Sequence, residues 1–265
     1  MNKYAAIAIG SALIITVIVG TFLLTRHNDE GVELPLATQD QSPTVDTESP
    51  ATDETASLET AVETDQTETT PELVPPPEKL DGSDRAVLEL ANSLSPQLVT
   101  WLLPEEQIRK WVMTIDLLAD GKIPRRYQPV EFSMAPFNVD KSNGTVTANE
   151  SNYTRAEPLI KAITAIDPAV VVEYLQHWQP LTSSAYKELG KPGNFNERLS
   201  EAINNVLNAR PLPKNATLDQ PLVFYVYEDQ ELENASDIQK LLWRIGPDNT
   251  ALIQDYLRKV HEHLQ

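Results

Sequence analysis

PEEQIRKWVMTIDLLADG, residues 104–121, decides how the folded part of this chain is read. Ile108, Trp111, Val112, Ile115 and Leu118 recur at the spacing that places apolar side chains on one face of a helix. Pro104 and Glu105 open the pattern, and Gly121 supplies a residue suited to its left-handed end. Glu105 with Arg109 and Glu106 with Lys110 stand four apart on the other faces. Such pairs contribute only about 0.2–0.5 kcal/mol each, so these acids are expected as solvated helix surface and not as a catalytic carboxylate pair.

Toward the carboxyl terminus the helical pattern repeats with explicit start signals. Thr154 with Glu157, and Ser236 with Gln239, fit a capping box, in which hydroxyl and carboxyl or amide each satisfy an orphan amide. Ser95-Pro96 and Asp167-Pro168 set a capping residue before a proline suited to the first turn. Asn194 precedes a helix through Leu199, Ile203, Val206 and Leu207, and the last helix runs through Leu252, Ile253, Tyr256, Leu257 and Val260. About seven or eight helices are expected, most of them short. Trp101, Trp111, Trp178 and Trp243 each fall within a helical pattern and are expected in the core.

Two stretches depart from helical spacing. VEFSMAPFNV, residues 130–139, followed by Asn143-Gly144 and TVT, predicts a hairpin with a type I′ turn; Pro136 puts its strand at an edge or interrupts it. LVFYVY, residues 222–227, is a continuous apolar run that predicts a buried strand, with one small sheet joining the two. The fold class is mainly α: a multi-helix globular domain over residues 80–265 with a minor β hairpin and strand.

Before that domain the composition changes twice. Tyr4 to Leu24 carries no charged side chain, and about 21 residues at 1.5 Å each span the roughly 30 Å core of a bilayer. A cleaved signal peptide would have a shorter apolar run and a small-residue cleavage site, so residues 1–27 are expected as a retained transmembrane anchor. Lys3 and the amino terminus outweigh Arg26, which favours an amino terminus inside and the rest of the chain outside the cytoplasm. Residues 28–79 hold fourteen acids and one base, Lys79, in a threonine- and proline-rich text that cannot offset the entropy of ordering its backbone. They are expected as a disordered acidic linker, with a root-mean-square span of about 40 Å that self-repulsion extends.

The formal net charge of −18 argues against nucleic acid, whose phosphates demand an excess of Lys and Arg. No cysteine is present, which excludes disulfides and thiolate metal sites. There is no phosphate loop, no G-x-S-x-G elbow and no H-E-x-x-H. His261 and His263 stand two apart, on opposite sides of a helix, and do not share a metal. Ser183 and Ser184 lack an identifiable histidine partner. No metal and no cofactor is expected.

Within this acidic chain DGKIPRRYQP, residues 120–129, concentrates positive charge directly after the amphipathic helix. One reading is structural, with Arg125 or Arg126 capping the end of that helix or pairing with acids of the domain. The other makes Lys122, Arg125, Arg126 and Tyr127 a cationic lip for a carboxylate or phosphate. Asn152, Tyr153 and Arg155 would join it if the hairpin brings SNYTR beside PRRY.

The blocks GKIPRRYQP, SNYTRAEPL, AYKELGKPGNFNERL and PLVFYVYEDQELENASDIQKLLWRIGPDN resemble a bacterial family known as domain of unknown function 3014, over nearly all of residues 81–264. The resemblance implies a Gram-negative source and a single-pass envelope protein; it implies no activity and no catalytic residue. Two functions are therefore expected to compete. One is a membrane-tethered periplasmic domain that binds an envelope protein, a peptide or a cell-wall component, anchored in the inner membrane through residues 4–24. The other is an envelope enzyme, hydrolase-like, acting on an anionic cell-wall or lipid-derived substrate, with the arginines orienting it and Glu150, Glu157 or Asp167 as base. A cytoplasm-facing adaptor follows if the charge bias is misread.

Overall fold

The computed structural model describes residues 73–264. The expected anchor and most of the expected linker lie outside the described residues. Residues 73–79, assigned to the linker by composition, run along the domain: the Val74 amide donates to the Tyr174 hydroxyl at 2.9 Å, and Trp178 Nε1 donates to the Val74 carbonyl at 3.2 Å. Among the described residues no helix is long and apolar enough to cross a membrane.

Ten α-helices, one 3₁₀ segment and two antiparallel strand pairs make up the described chain. In order they are α1 (Asp84–Leu94), α2 (Pro96–Val99), α3 (Gln107–Ala119), β1 (Val139–Ser142), β2 (Thr145–Ala148), the 3₁₀ segment (Glu150–Ala156), α4 (Glu157–Thr164), α5 (Pro168–His177), α6 (Gln179–Glu188), α7 (Phe195–Leu207), β3 (Leu218–Asp219), β4 (Val226–Tyr227), α8 (Gln230–Glu233), α9 (Asp237–Ile245) and α10 (Pro247–Leu264). The domain is mainly helical, as the periodicity predicts.

Helix α3 is central. Its stripe from Ile108 to Leu118 is buried, and it packs most extensively on α7 and then on α6. It starts later than Pro104, however, because Glu105 and Glu106 take left-handed backbone angles of 73° and 56° in φ. The orphan amides of Glu106 and Gln107 are capped from outside the helix by the Asp84 carboxylate of α1, at 2.9 and 2.8 Å. The expected four-apart pairs accordingly do not form: Arg109 instead pairs with Asp81, Glu106 and Glu188, and Lys110 donates to the Pro104 carbonyl. At the other end Gly121, with φ of 73°, completes a Schellman motif in which the Lys122 amide reaches the Leu117 carbonyl and the Gly121 amide that of Leu118.

Capping follows the sequence in part. Asp167, Asn194 and Ser236 accept from Ala169, Glu197 and Gln239 amides respectively. Thr154 does not cap α4; its hydroxyl donates to the Ser151 carbonyl, because Asn149, five residues upstream, has already started the 3₁₀ segment that contains Thr154. Gln239 does not reach back to Ser236 either, since its amide is engaged with both main-chain groups of Arg210.

Asn143 and Gly144 carry φ of 52° and 79°, as a type I′ turn requires, and join β1 to β2. The expected buried strand over residues 222–227 is overturned. Only Val226–Tyr227 pair, with Leu218–Asp219, whereas Leu222, Val223 and Phe224 are 85%, 53% and 41% exposed. An uninterrupted apolar run does not distinguish a core strand from a loop that shows its apolar side chains to solvent. The two strand pairs form separate sheets, not one. They wall a small second apolar cluster around Leu218, Tyr227 and Trp243, apart from the main core.

Candidate functional site

That second cluster is incompletely filled. Between the β1–β2 hairpin, the residue 220–227 loop and α9 lies a cleft of about 390 Å³. Its aromatic wall comes from Phe137, Phe224, Tyr225, Tyr227 and Trp243. Tyr227 meets Trp243 edge-on at 5.5 Å, and Phe137 faces Tyr225 at 6.1 Å. Trp243 is held in place by its indole N–H, which donates to the Arg210 carbonyl at 2.7 Å.

Arg155 and Arg244 bring positive charge to the same cleft, and Arg155 lies 5.8 Å from the Phe137 ring centre in a cation–π arrangement. Glu233 is the cleft's one carboxylate. Burial works to raise its pKa, but the Tyr227 amide at 2.9 Å and the Lys240 ammonium at 3.0 Å hold it below the ordinary value, so it stays ionised and engaged. Burial also pushes the Tyr227 phenol up to about 12, which keeps it a neutral hydrogen-bonding group at every physiological pH.

The structure divides the residues singled out in the sequence. Asn152, Tyr153 and Arg155 line the cleft, while Lys122, Arg125, Arg126 and Tyr127 do not. Asn152 is consumed by the fold: its side chain accepts from the Asn138 amide and donates to the Asn138 and Asn149 carbonyls, clamping the 3₁₀ segment to the entrance of β1. Tyr153 packs on Gly246, and Asn249 donates to its carbonyl at 2.7 Å. Arg155 is thus the one of the three whose side chain offers charge to the cleft.

Arg125, Arg126 and Tyr127 are exposed on the loop between α3 and the residue 129–131 segment, which is held by main-chain bonds to Trp101 and Leu103. Lys122 is exposed as well, 3.8 Å from Asp120. The arginines do not cap α3. Its last carbonyls are taken by Asn205 of α7, and Arg198 of α7 takes that of Asp116. Nor does either arginine form an ion pair among the described residues. Tyr127 is 72% exposed with φ of 57°, a conformation few non-glycine residues adopt.

The three acids offered as a base in the sequence do not reach the cleft. Glu157 pairs with Lys161, Asp167 caps α5 through the Ala169 amide, and Glu150 is exposed; none of the three lines it. A second, more open hollow of about 460 Å³ lies where residues 76–81 cross α6. Arg109 faces it but is already bonded to three carboxylates, which leaves that hollow no spare positive charge.

The cleft-lining residues missed in the sequence, Phe137, Tyr225, Trp243 and Arg244, sit far apart in the chain, and a buried-strand reading of residues 222–227 concealed the loop that rims it. No curated protein and no solved structure matches the chain. Residues 107–261 match the family model described as Protein of unknown function (DUF3014), a span that takes in both the α3–α7 scaffold and the cleft; the chain belongs to that family.

Proposed function

We propose that this is a binding domain, carried in the bacterial inner membrane by residues 4–24 and held in the periplasm by its acidic linker, which recognises an envelope partner through the cleft beside Trp243. The observation that carries the reading is the cleft itself: aromatic rings and two guanidinium groups converge on about 390 Å³ whose one carboxylate is already committed to Tyr227 and Lys240. A hydrolase needs a base or nucleophile at the bound group, and the acids offered for that role lie elsewhere. A recognition site needs apolar area and a few placed polar groups, which this cleft has.

The test is site-specific photo-crosslinking of the full chain in living cells, with a photoreactive residue at Val223 or, for comparison, at Arg126. A discrete adduct from Val223 alone supports recognition at the cleft. Adducts from Arg126 alone would transfer the binding role to the basic loop, and none from either would leave the domain without a stable partner and end the proposal. A reporter fused after Gln265, active only outside the cytoplasm, checks the topology.

A further inference from the structure

The connection between β3 and β4 carries a feature that recognition inside the cleft leaves unused. Leu222, the most exposed of the large apolar residues described, does not line the cleft, and with Val223 and Phe224 it makes three consecutive large apolar side chains turned to solvent. The other exposed large apolar residues described, Leu88, Tyr127 and Leu252, stand singly in the sequence. Scattered exposed apolar residues are ordinary, whereas a contiguous run marks a surface that is covered in use.

The run sits at the tip of a braced hairpin. Its stem is closed by Thr217 and Glu228: the Glu228 amide donates to the Thr217 carbonyl at 3.1 Å, and the Thr217 hydroxyl to the Glu228 carboxylate at 2.6 Å. Leu218 and Asp219 then pair with Tyr227 and Val226. Beyond them the Gln220 side-chain amide donates to the Val223 carbonyl at 3.1 Å, and residues 221–224 bend instead of extending. A bent tip is a poor edge for an added strand, which needs an extended partner. It suits burial as a tip. Gln220 to Tyr225 include no charged side chain, and the nearest acids in sequence, Asp219 and Glu228, belong to the stem. Shallow entry into an apolar medium therefore dehydrates no charge, and it leaves the tip's main chain at a depth where water still reaches its amides.

What covers the tip follows from the rest of the chain, given the proposed anchoring by residues 4–24. A linker that spans about 40 Å keeps the domain close to the bilayer. A domain of this length has a radius of gyration of about 16 Å, so each of its faces comes within reach of the lipid. The tether makes the encounter intramolecular, and a contact of modest affinity is then well populated. With a formal net charge of −18 the chain gains nothing from anionic headgroups, which leaves apolar area as the basis of contact.

We propose that the β3–β4 tip, through Leu222 and Val223, dips into the surface of the bilayer that carries the chain's own anchor. Val223 also lines the cleft, so this second membrane contact brings the cleft beside the lipid surface. The domain then meets its partner at the membrane.

The chain has no cysteine, so one introduced thiol carries an environment-sensitive fluorophore at a single site. The full chain in phosphatidylcholine nanodiscs is labelled at Val223→Cys or, as a control at an exposed apolar position on α10, at Leu252→Cys. Quenching is read from phosphatidylcholine spin-labelled near the headgroup end of its acyl chain, within the roughly 5–10 Å that an interfacial segment reaches. The label at 223 is expected to be quenched and blue-shifted, and the label at 252 neither. Leu222→Asp, off the cleft and with its fold checked by circular dichroism, should lower the ratio of inserted to free tip at least about tenfold, the worth of one large apolar side chain. Equal quenching at the two positions, or quenching at 223 that Leu222→Asp leaves unchanged, overturns the inference. No quenching at 223, the result of a tip covered by protein, overturns it as well. A chain that fails to co-purify with the nanodiscs overturns the anchoring and this inference with it; one that co-purifies without quenching overturns the inference alone. Recognition at the cleft stands or falls separately, on the protein adduct from Val223.

Discussion

A Cβ on Gly246 would lie 2.4 Å from Cγ of Tyr153, closer than any real side chain tolerates, so the α9–α10 junction and the 3₁₀ segment fit together only because residue 246 has no side chain. Its φ of 88° and ψ of 164° are also a conformation reserved for glycine. The Tyr153 ring thereby fixes the segment from which Arg155 enters the cleft.

Gly246→Ala is therefore expected to destabilise the domain by about 3 kcal/mol, the sum of steric overpacking and backbone strain. Tyr153→Ala in the same chain should recover the steric part and leave the backbone part. Urea unfolding of the single and double variants measures both; a Gly246→Ala protein as stable as wild type would mean that the junction simply shifts.

A second constraint ties α3 to α7. Asp116, 3% exposed at its side chain, receives Arg198 Nε at 2.9 Å and Lys191, while Arg198 also reaches the Asp116 carbonyl at 2.6 Å, Asp120 at 2.5 Å and Glu201 at 2.5 Å. Removing one partner of a buried pair strands the other. Arg198→Ala should cost about 3–5 kcal/mol, and Asp116→Ala a similar amount. The double variant should cost less than the sum of the two, and a double-mutant cycle with no coupling would contradict the shared network.

Most of the helical scaffold was readable because its signals are local: the stripe of α3, the Asp167, Asn194 and Ser236 caps, and Gly121. Apolar periodicity does not mark the split between α5 and α6, where Gln179-Pro180 places a proline in a new first turn directly after Trp178. The late start of α3 was beyond any local rule, because its cap, Asp84, comes from another helix. The site was less legible still. The sequence singles out Arg155 together with PRRY, whose residues do not line the cleft, and it places Trp243 in the core without the cleft beside it. Clefts form between elements distant in sequence, and periodicity reports only on one element at a time.

Acid should weaken the domain along a predictable path. The Arg198 guanidinium holds the Asp120 carboxyl below its ordinary 3.8, and the Arg109 guanidinium does the same for Glu188 against 4.5. In each case the unfolded chain binds the proton more readily, so stability rises with pH across this range. The contribution is complete above the unfolded values and is lost as pH falls through the folded ones. Both groups are partly exposed, which keeps the effect small. Urea midpoints should hold between pH 7 and 5 and fall below about pH 4.5; Asp120→Asn should be less stable at pH 7 but lose less on acidification. A wild-type midpoint unchanged at pH 3.5 would show that these pairs do not differ between the folded and unfolded states.

The basic loop that follows α3 is where structure and binding separate most cleanly. Arg125 and Arg126 hold nothing together among the described residues, so their joint replacement by alanine should change stability by no more than about 0.5 kcal/mol. Tyr127, exposed and left-handed, costs backbone energy without a packing return, and Tyr127→Gly should stabilise by up to about 1 kcal/mol once the strain is relieved, less the entropy glycine adds to the unfolded chain. Thermal unfolding of the two variants decides it. If Arg125→Ala with Arg126→Ala unfolds the domain, the loop is a structural brace; if Tyr127→Gly is destabilising, the tyrosine ring contributes more to the folded state than its exposure implies. With both variants folded and stable, a loss of crosslinked partner in either one would be a loss of contact and not of fold, which is the condition for reading these residues as a second surface beside the cleft.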